Sequence, residues 1–412
     1  MLGLAVVVLA VGLLAFALAD RGTQTETRQN AGTTQDDETS KGAKRRGRKK
    51  TSGREGRQPI GPPRLLPVAD GIPHPTNIAF DRSGRLWITS SGYKRAASDG
   101  VWFLPRRGAR PAQVVSGLPT ALGLVWHRGT LFVSHLKPDA GYSVGQVTAF
   151  SGFDGRRFAR RRVVVGDIPT ARHTVDSLAV RGDGRIFLGV GSQTDAGPPT
   201  RRLAASVISF NPDGSDVTLE ARGLRNPYGL AFLPDGRTLA LSDQGRDDLG
   251  LDEPPEELNL LDTKGRAIDF GHPRCYGQGG RACAGSRRAH VRMPAHSAAA
   301  GVAVSERFGA LGPSVFVALY GSTFDKPPTG GEIVRIPLRR GVPARRAVRF
   351  ARKVGPKEPL GLAIGPDRRL YATLHTSGRV VAISPPPGRG EAQPTGPIPP
   401  GAFLPGAITR LK

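Results

Sequence analysis

The 412-residue chain holds 38% hydrophobic residues with 55 Gly and 36 Pro, a density of chain breakers that excludes long helices and favours many short strands. Its formal net charge is +25, from 59 Lys+Arg against 34 Asp+Glu, which would draw polyanions to it. Aromatics are only 6% and the arginines are scattered through turns. The chain therefore lacks the basic stripe with stacking platforms, or the recognition helix, of a nucleic-acid binder.

The first element is the apolar run Leu2 to Ala19 (residues 1–19), long enough at roughly 27 Å of helix to span a bilayer. Ala17-Leu18-Ala19 before Asp20 also has the small-x-small form of a signal-peptide cleavage site. Both readings export the chain. It is then either secreted or anchored on the outer face of the membrane, and touches the membrane only through this segment. Residues 20–63 are polar, include the basic cluster Lys44 to Lys50, and read as a disordered linker. Residues 385–412 form a Pro/Gly-rich tail.

Between them, residues 64–384 repeat one phrase at intervals of roughly fifty residues. A turn with Asp, Gly or Arg is followed by an alternating apolar strand: DRSGRLWITS, HRGTLFVSH, RGDGRIFLGVG, PDGRTLALSD, GPSVFVALYG and PDRRLYATLH. Before most copies stands a second strand (PTNIAF, ALGLVW, VDSLAV, PYGLAF, PLGLAI) and after most a third (GVWFLP, GQVTAF, SVISFN, GEIVRI, GRVVAI). One such meander cannot bury both its faces; stacking copies around an axis does so. The expectation is an all-β, six-bladed β-propeller. Residues 246–307 read as an insertion between the fourth and fifth copies, carrying both cysteines. In an oxidising compartment Cys275 and Cys283 would close a small disulfide loop.

Propeller loops converge at the channel mouth, so polar residues flanking the inner strands are the candidates for chemistry. His173 in ARHTVDSLAV is placed to take a proton near neutral pH. Arg225 and Asn226, in GLRNPYG, offer a planar guanidinium beside an amide, suited to carboxylate or quinone oxygens. Asp243 to Asp248, with Glu256 and Glu257, is the densest oxygen supply in the chain. It is either a solvated acidic loop or a set of ligands for a hard cation such as Ca²⁺. Lys326, in GSTFDKPPTG, is either a solvated turn cation or a contact for an anionic cofactor.

The segments HTVDSLAVRGDGRIFLGVGS, GLRNPYGLAFLPDG, EELNLL…DFGHPRCYG, AHSAAAG, GSTFDKPPTGGEIVRI and PLGLAIGPDRRLYATLHTSGRVV together resemble the glucose/sorbosone dehydrogenase family, six-bladed propellers that use pyrroloquinoline quinone (PQQ). The Cys pair after the GHP turn and the PPTG loop are nearer its sorbosone branch. The resemblance implies hydride transfer from a sugar, or a related alcohol or aldehyde, to PQQ, and then to an external electron acceptor. It casts His173 as general base and Arg225 with Asn226 as the pair that polarises the quinone. Gly245, Arg246, Glu256 and Glu257 fall near its Ca²⁺ site and Lys357 on its late basic cofactor contact, while Thr323, Asp325 and Lys326 stand where its PPTG loop carries aromatic and Arg residues. Ser192 and Gln193 stand where the soluble glucose enzymes carry an Asp, and Glu358 follows Lys357. Two other readings suit the same scaffold: a non-catalytic extracellular propeller that binds carbohydrate or cell wall, and a Ca²⁺-dependent lactonase built on Asp243, Glu256 and Glu257.

Overall fold

The computed structural model describes residues 63–93, 97–276, 279–322, 329–352, 354–355 and 357–386. The export segment 1–19, the linker to residue 62, the tail from residue 387 and Lys326 lie outside the described residues. Among those described, the regular structure is β-strand apart from two three-residue 3-10 turns, Arg281–Cys283 and Gly309–Leu311.

The strands form six antiparallel-meander sheets. Their innermost strands are Pro75–Phe80, Gly123–His127, Val175–Val180, Leu230–Phe232, Ala299–Ser305 and Leu362–Ile364. Each packs on the next, and the last packs on the first, so the sheets are six blades around a closed ring. Leu65–Ala69 pairs with Arg379–Ile383, so the two ends of the repeat region share the sixth blade. The all-β, six-bladed propeller expected from the repeat is the observed architecture.

The second strand of a blade lies between neighbouring blades, and so its residues are buried on both faces, as in Leu86–Ser90, Ile186–Val190 and Leu370–Leu374. In blades two, four and six, side-chain size is matched at one register position. Gly123 in the inner strand of blade two, and Gly229 and Gly361 just before those of blades four and six, face Ser134, Ser242 and Thr373 of the second strands. Those hydroxyls donate to the neighbouring blade's inner-strand carbonyls: Ser134 Oγ to Asp176 O (2.5 Å), Ser242 Oγ to Ala300 O (2.6 Å) and Thr373 Oγ1 to Thr76 O (3.2 Å). Blade three inverts the arrangement. Its inner strand carries Ser177 and its second strand Gly189, where a Cβ would stand 2.1 Å from the Pro227 carbonyl oxygen.

Residues 246–307 are not an insertion in the sheet sense. Glu256–Asp262 and Val291–Met293 are the third and fourth strands of blade four, and Ala299–Ser305 is the inner strand of blade five. Ile268–Asp269 adds in parallel to the edge of blade three. The third strand eluded the repeat because it opens on two glutamates, which break the apolar alternation. Cys275 and Cys283 are disulfide-bonded, with their Cα atoms 4.8 Å apart, and tie down the loop between that edge strand and the fourth strand of blade four.

Candidate functional site

At one end of the ring, the loops before the inner strands and after the second strands line a cavity of about 480 Å³. His173, Arg225, Asn226, Gly245, Glu256 and Lys357 all line it, so residues spread over 185 positions of sequence meet in one place because each flanks a strand of the same ring (173 to 357).

His173 stands two residues before the inner strand of blade three. Its backbone N–H donates to Ser192 O at 3.1 Å. The ring is half-buried, yet Nε2 is fully buried and has no hydrogen-bond partner. Burial, then the Arg225 charge, hold the imidazole well below its ordinary range, so it is neutral at physiological pH with a lone pair or proton unengaged. Gly191 makes the arrangement possible: a Cβ there would lie 2.3 Å from His173 Cβ and 2.9 Å from Asn226 Oδ1.

Arg225 and Asn226 are positioned from below by Asp243, whose carboxylate accepts both their backbone N–H groups, at 3.1 and 2.7 Å. Burial pushes Asp243 up to about 6 against those two bonds. Asn226 Nδ2 donates to Gln244 Oε1 at 2.8 Å, while its Oδ1 is buried without a partner. The Arg225 guanidinium is already matched. Nη2 contacts Asp195 and donates to Asp247 Oδ2 at 3.0 Å, and Arg172 lies 3.8 and 3.5 Å from the same two carboxylates. Arg225 Nε remains buried and unpaired. Lys357 lines the cavity, whereas Glu358 turns away and accepts the Ser377 N–H at 2.5 Å.

The expected metal set does not converge. Neighbouring residues of a strand face opposite ways, so Glu256 lines the main cavity and accepts the Ala299 N–H at 3.1 Å, while Glu257 lines a second, small pocket behind it. Arg246 lies in that second pocket, donating to Asp248 at 2.6 Å and to Pro273 O at 2.9 Å. Gly245 borders both. Burial pushes Glu256 up to about 7 and Glu257 to about 8. Among the described residues no group of three or more His, Cys, Asp or Glu side chains is placed to hold a metal ion.

Sequence reasoning missed the walls of the site. Four of the chain's six tyrosines, Tyr93, Tyr142, Tyr228 and Tyr320, line this one cavity. Only Tyr228 had a signal, directly after Arg225-Asn226-Pro227; the others stand alone in loops. Asp176 and Asp195 also escaped notice, the first because it interrupts an apolar strand and the second because its partner is 30 positions away.

No family model matches the chain. An uncharacterized protein of Borreliella burgdorferi is 31% identical over 94 residues, and the chain spans 24% of the length of that curated relative. Among solved structures, an AA12-family carbohydrate-active enzyme of Trichoderma reesei matches with a TM-score of 0.66 at 18% identity, over 78% of this chain and 96% of that one. The PQQ domain of pyranose dehydrogenase from Coprinopsis cinerea gives 0.65 at 20%, over 78% and 95%. The soluble aldose sugar dehydrogenase of Escherichia coli gives 0.62 at 17%, over 78% and 99%. At these identities the likeness is one of fold, shared across nearly the whole of each matched chain.

Proposed function

We propose that this propeller, which has the fold of the PQQ-type pyranose and aldose sugar dehydrogenases, is an exported quinone-dependent oxidoreductase acting on sugars or related alcohols and aldehydes. The observation that carries the reading is a set of three buried polar atoms without partners, His173 Nε2, Arg225 Nε and Asn226 Oδ1, all on residues lining one cavity of about 480 Å³. Buried polar groups left unpaired are costly, and a polar planar ligand seated there would satisfy them. Arg225, Asn226 and Lys357 would hold a PQQ molecule, with Lys326 assigned to the same role from sequence.

When bound, PQQ would supply the two-electron acceptor that takes hydride from the carbon bearing the substrate hydroxyl, before an external acceptor collects the electrons. His173 takes the hydroxyl proton. A neutral imidazole with an open Nε2 is the protonation state a base requires, and burial with Arg225 keeps it so. Arg225 Nε, fixed through the backbone by Asp243, is a donor that needs no rearrangement as charge develops, and Asn226 Oδ1, held the same way, is an acceptor for a ligand O–H or N–H. For Ca²⁺ we assign the Gly245 backbone carbonyl with Glu256, which share the main cavity, since Arg246 and Glu257 face the other pocket. The Cys275–Cys283 pair after the GHP turn supports the sorbosone branch.

Reconstitution tests the reading. Protein incubated with PQQ and Ca²⁺ is expected to retain quinone absorbance through gel filtration and to reduce a dye with at least one of a panel of aldoses. His173→Ala keeps the quinone and loses dye reduction by about 10²-fold or more. Absence of both retained quinone and turnover overturns the proposal and leaves the non-catalytic carbohydrate-binding reading.

A further inference from the structure

Beneath His173, the inner strand of blade three carries Asp176 into the wall of the same cavity. The side chain is 1% exposed, and its Oδ2 is buried with no hydrogen-bond partner. Two phenols of the same cavity lie within electrostatic reach of it: Tyr93 Oη and Tyr228 Oη are hydrogen-bonded to each other at 3.0 Å, and both rings line the cavity. One hydroxyl donates to the other, so the pair retains one O–H to offer. Tyr142 Oη, which donates to Tyr93 O at 2.7 Å, holds the Tyr93 backbone in place. The mechanism above gives Asp176 no part, and the position carries no ion pair.

We propose that Asp176, with the Tyr93–Tyr228 hydroxyl pair, forms a hydrogen-bonding floor that grips an oxygen of the ligand filling the channel cavity.

The chemistry of the floor follows from its surroundings. A carboxylate buried without a cation or backbone N–H partner is expensive, whereas the acid form is a short, strong donor. Burial, and after it the Asp243 carboxylate, drive Asp176 well above the ordinary carboxylate range. The floor therefore offers O–H donors, and its complement is an acceptor oxygen rather than an ammonium group. A sugar hydroxyl and a quinone or carboxylate oxygen share that chemistry. Four tyrosine rings around the same cavity suit either occupant, since phenol faces pack against sugar C–H groups and against flat heteroaromatics alike. The proposal rests on the site assignment made above but not on its redox step.

Equilibrium binding separates the sources. Wild type, Asp176→Asn and Asp176→Ala are titrated calorimetrically, once with an aldose panel in the absence of quinone and once with PQQ in the absence of sugar. Asn keeps a donor at the position and Ala removes it. The expected result is a loss of about tenfold or more in affinity for one of the two probes in Asp176→Ala, with Asp176→Asn within about threefold of wild type. Both variants should retain a cooperative thermal transition. In infrared difference spectra, adding that probe should shift a carboxylic-acid C=O band in wild type that is missing in Asp176→Asn. Unchanged affinity of Asp176→Ala for both probes, an equal loss in Asn and Ala, or no binding of either probe to wild type overturns the proposal. Asp176-dependent aldose binding without PQQ binding would sink the quinone reading alone.

Discussion

Asn77 Nδ2 donates to Ser177 Oγ at 2.8 Å, joining blade one to blade three past the bare Gly123 of the blade between them. Both side chains are buried, and Ser177 directly follows the cavity residue Asp176. The ring is thus bridged just beyond the floor of the cavity. Gly123 is what allows it, since a Cβ there would meet Asp176 O at 2.3 Å and Ser177 Cα at 2.9 Å. These are backbone atoms of a strand fixed on both sides and cannot step aside. Gly123→Ala is expected to cost about 2–3 kcal/mol through overpacking, and Asn77→Ala about 1 kcal/mol through one lost hydrogen bond. Denaturant melts check the order: an alanine at 123 as stable as wild type would contradict the close approach.

Below His173 the electrostatics make a second prediction. Burial first, and Arg225 next, hold the ring neutral well below the ordinary value of 6.5. Its NMR signals should show no titration step around pH 6.5, where an exposed histidine shows one. The sign of the stability effect follows. The unfolded chain takes up a proton as pH falls through its own value while the folded chain does not, so stability is lost on acidification below about 6.5. His173→Gln should flatten that part of the pH–stability curve.

The fold was legible because repetition needs no long-range information: six copies of a turn and an apolar strand imply six blades whether or not their contacts are known. The site was legible only where a residue is unusual beside its own strand, as His173, Arg225 and Asn226 are. Glu256 and Glu257 read as one pair for a local reason. Adjacent carboxylates look like one ligand pair in sequence, yet strand pleat sends them to different pockets. Asp195 and the tyrosine walls were illegible because their meaning lies in partners on other blades.

Glu257 gives the third prediction. Burial, followed by repulsion from Asp243, pushes it up to about 8 from an ordinary 4.5. Between those values the folded state holds a proton that the unfolded state has released, so stability falls as pH rises from about 4.5 to 8. Glu257→Gln keeps the shape, and its amide can still accept from Asn259 Nδ2 at the 2.9 Å contact. The variant should melt higher than wild type at pH 8 and match it near pH 4.5. A gain of equal size at both pH values would show a packing effect instead.

The last prediction concerns the square of charges at the cavity rim. Arg225 Nη2 is shared by Asp195 and Asp247, and Arg172 pairs with the same two carboxylates. Two cations and two anions cancel, so an anionic ligand meets little net attraction from Arg225 despite its 5% exposure. Asp195→Asn preserves the side-chain shape and removes one negative charge. Affinity for PQQ, a tricarboxylate, should rise by roughly tenfold, about 1.4 kcal/mol, and the gain should shrink with added salt. The same change leaves Arg225 with one anionic partner in place of two, so stability should fall by about 1 kcal/mol. Fluorescence titration at two ionic strengths, with a denaturant melt alongside, measures both effects. Weaker PQQ binding in Asp195→Asn would mean that Asp195 orients Arg225 toward the ligand more than it neutralises it.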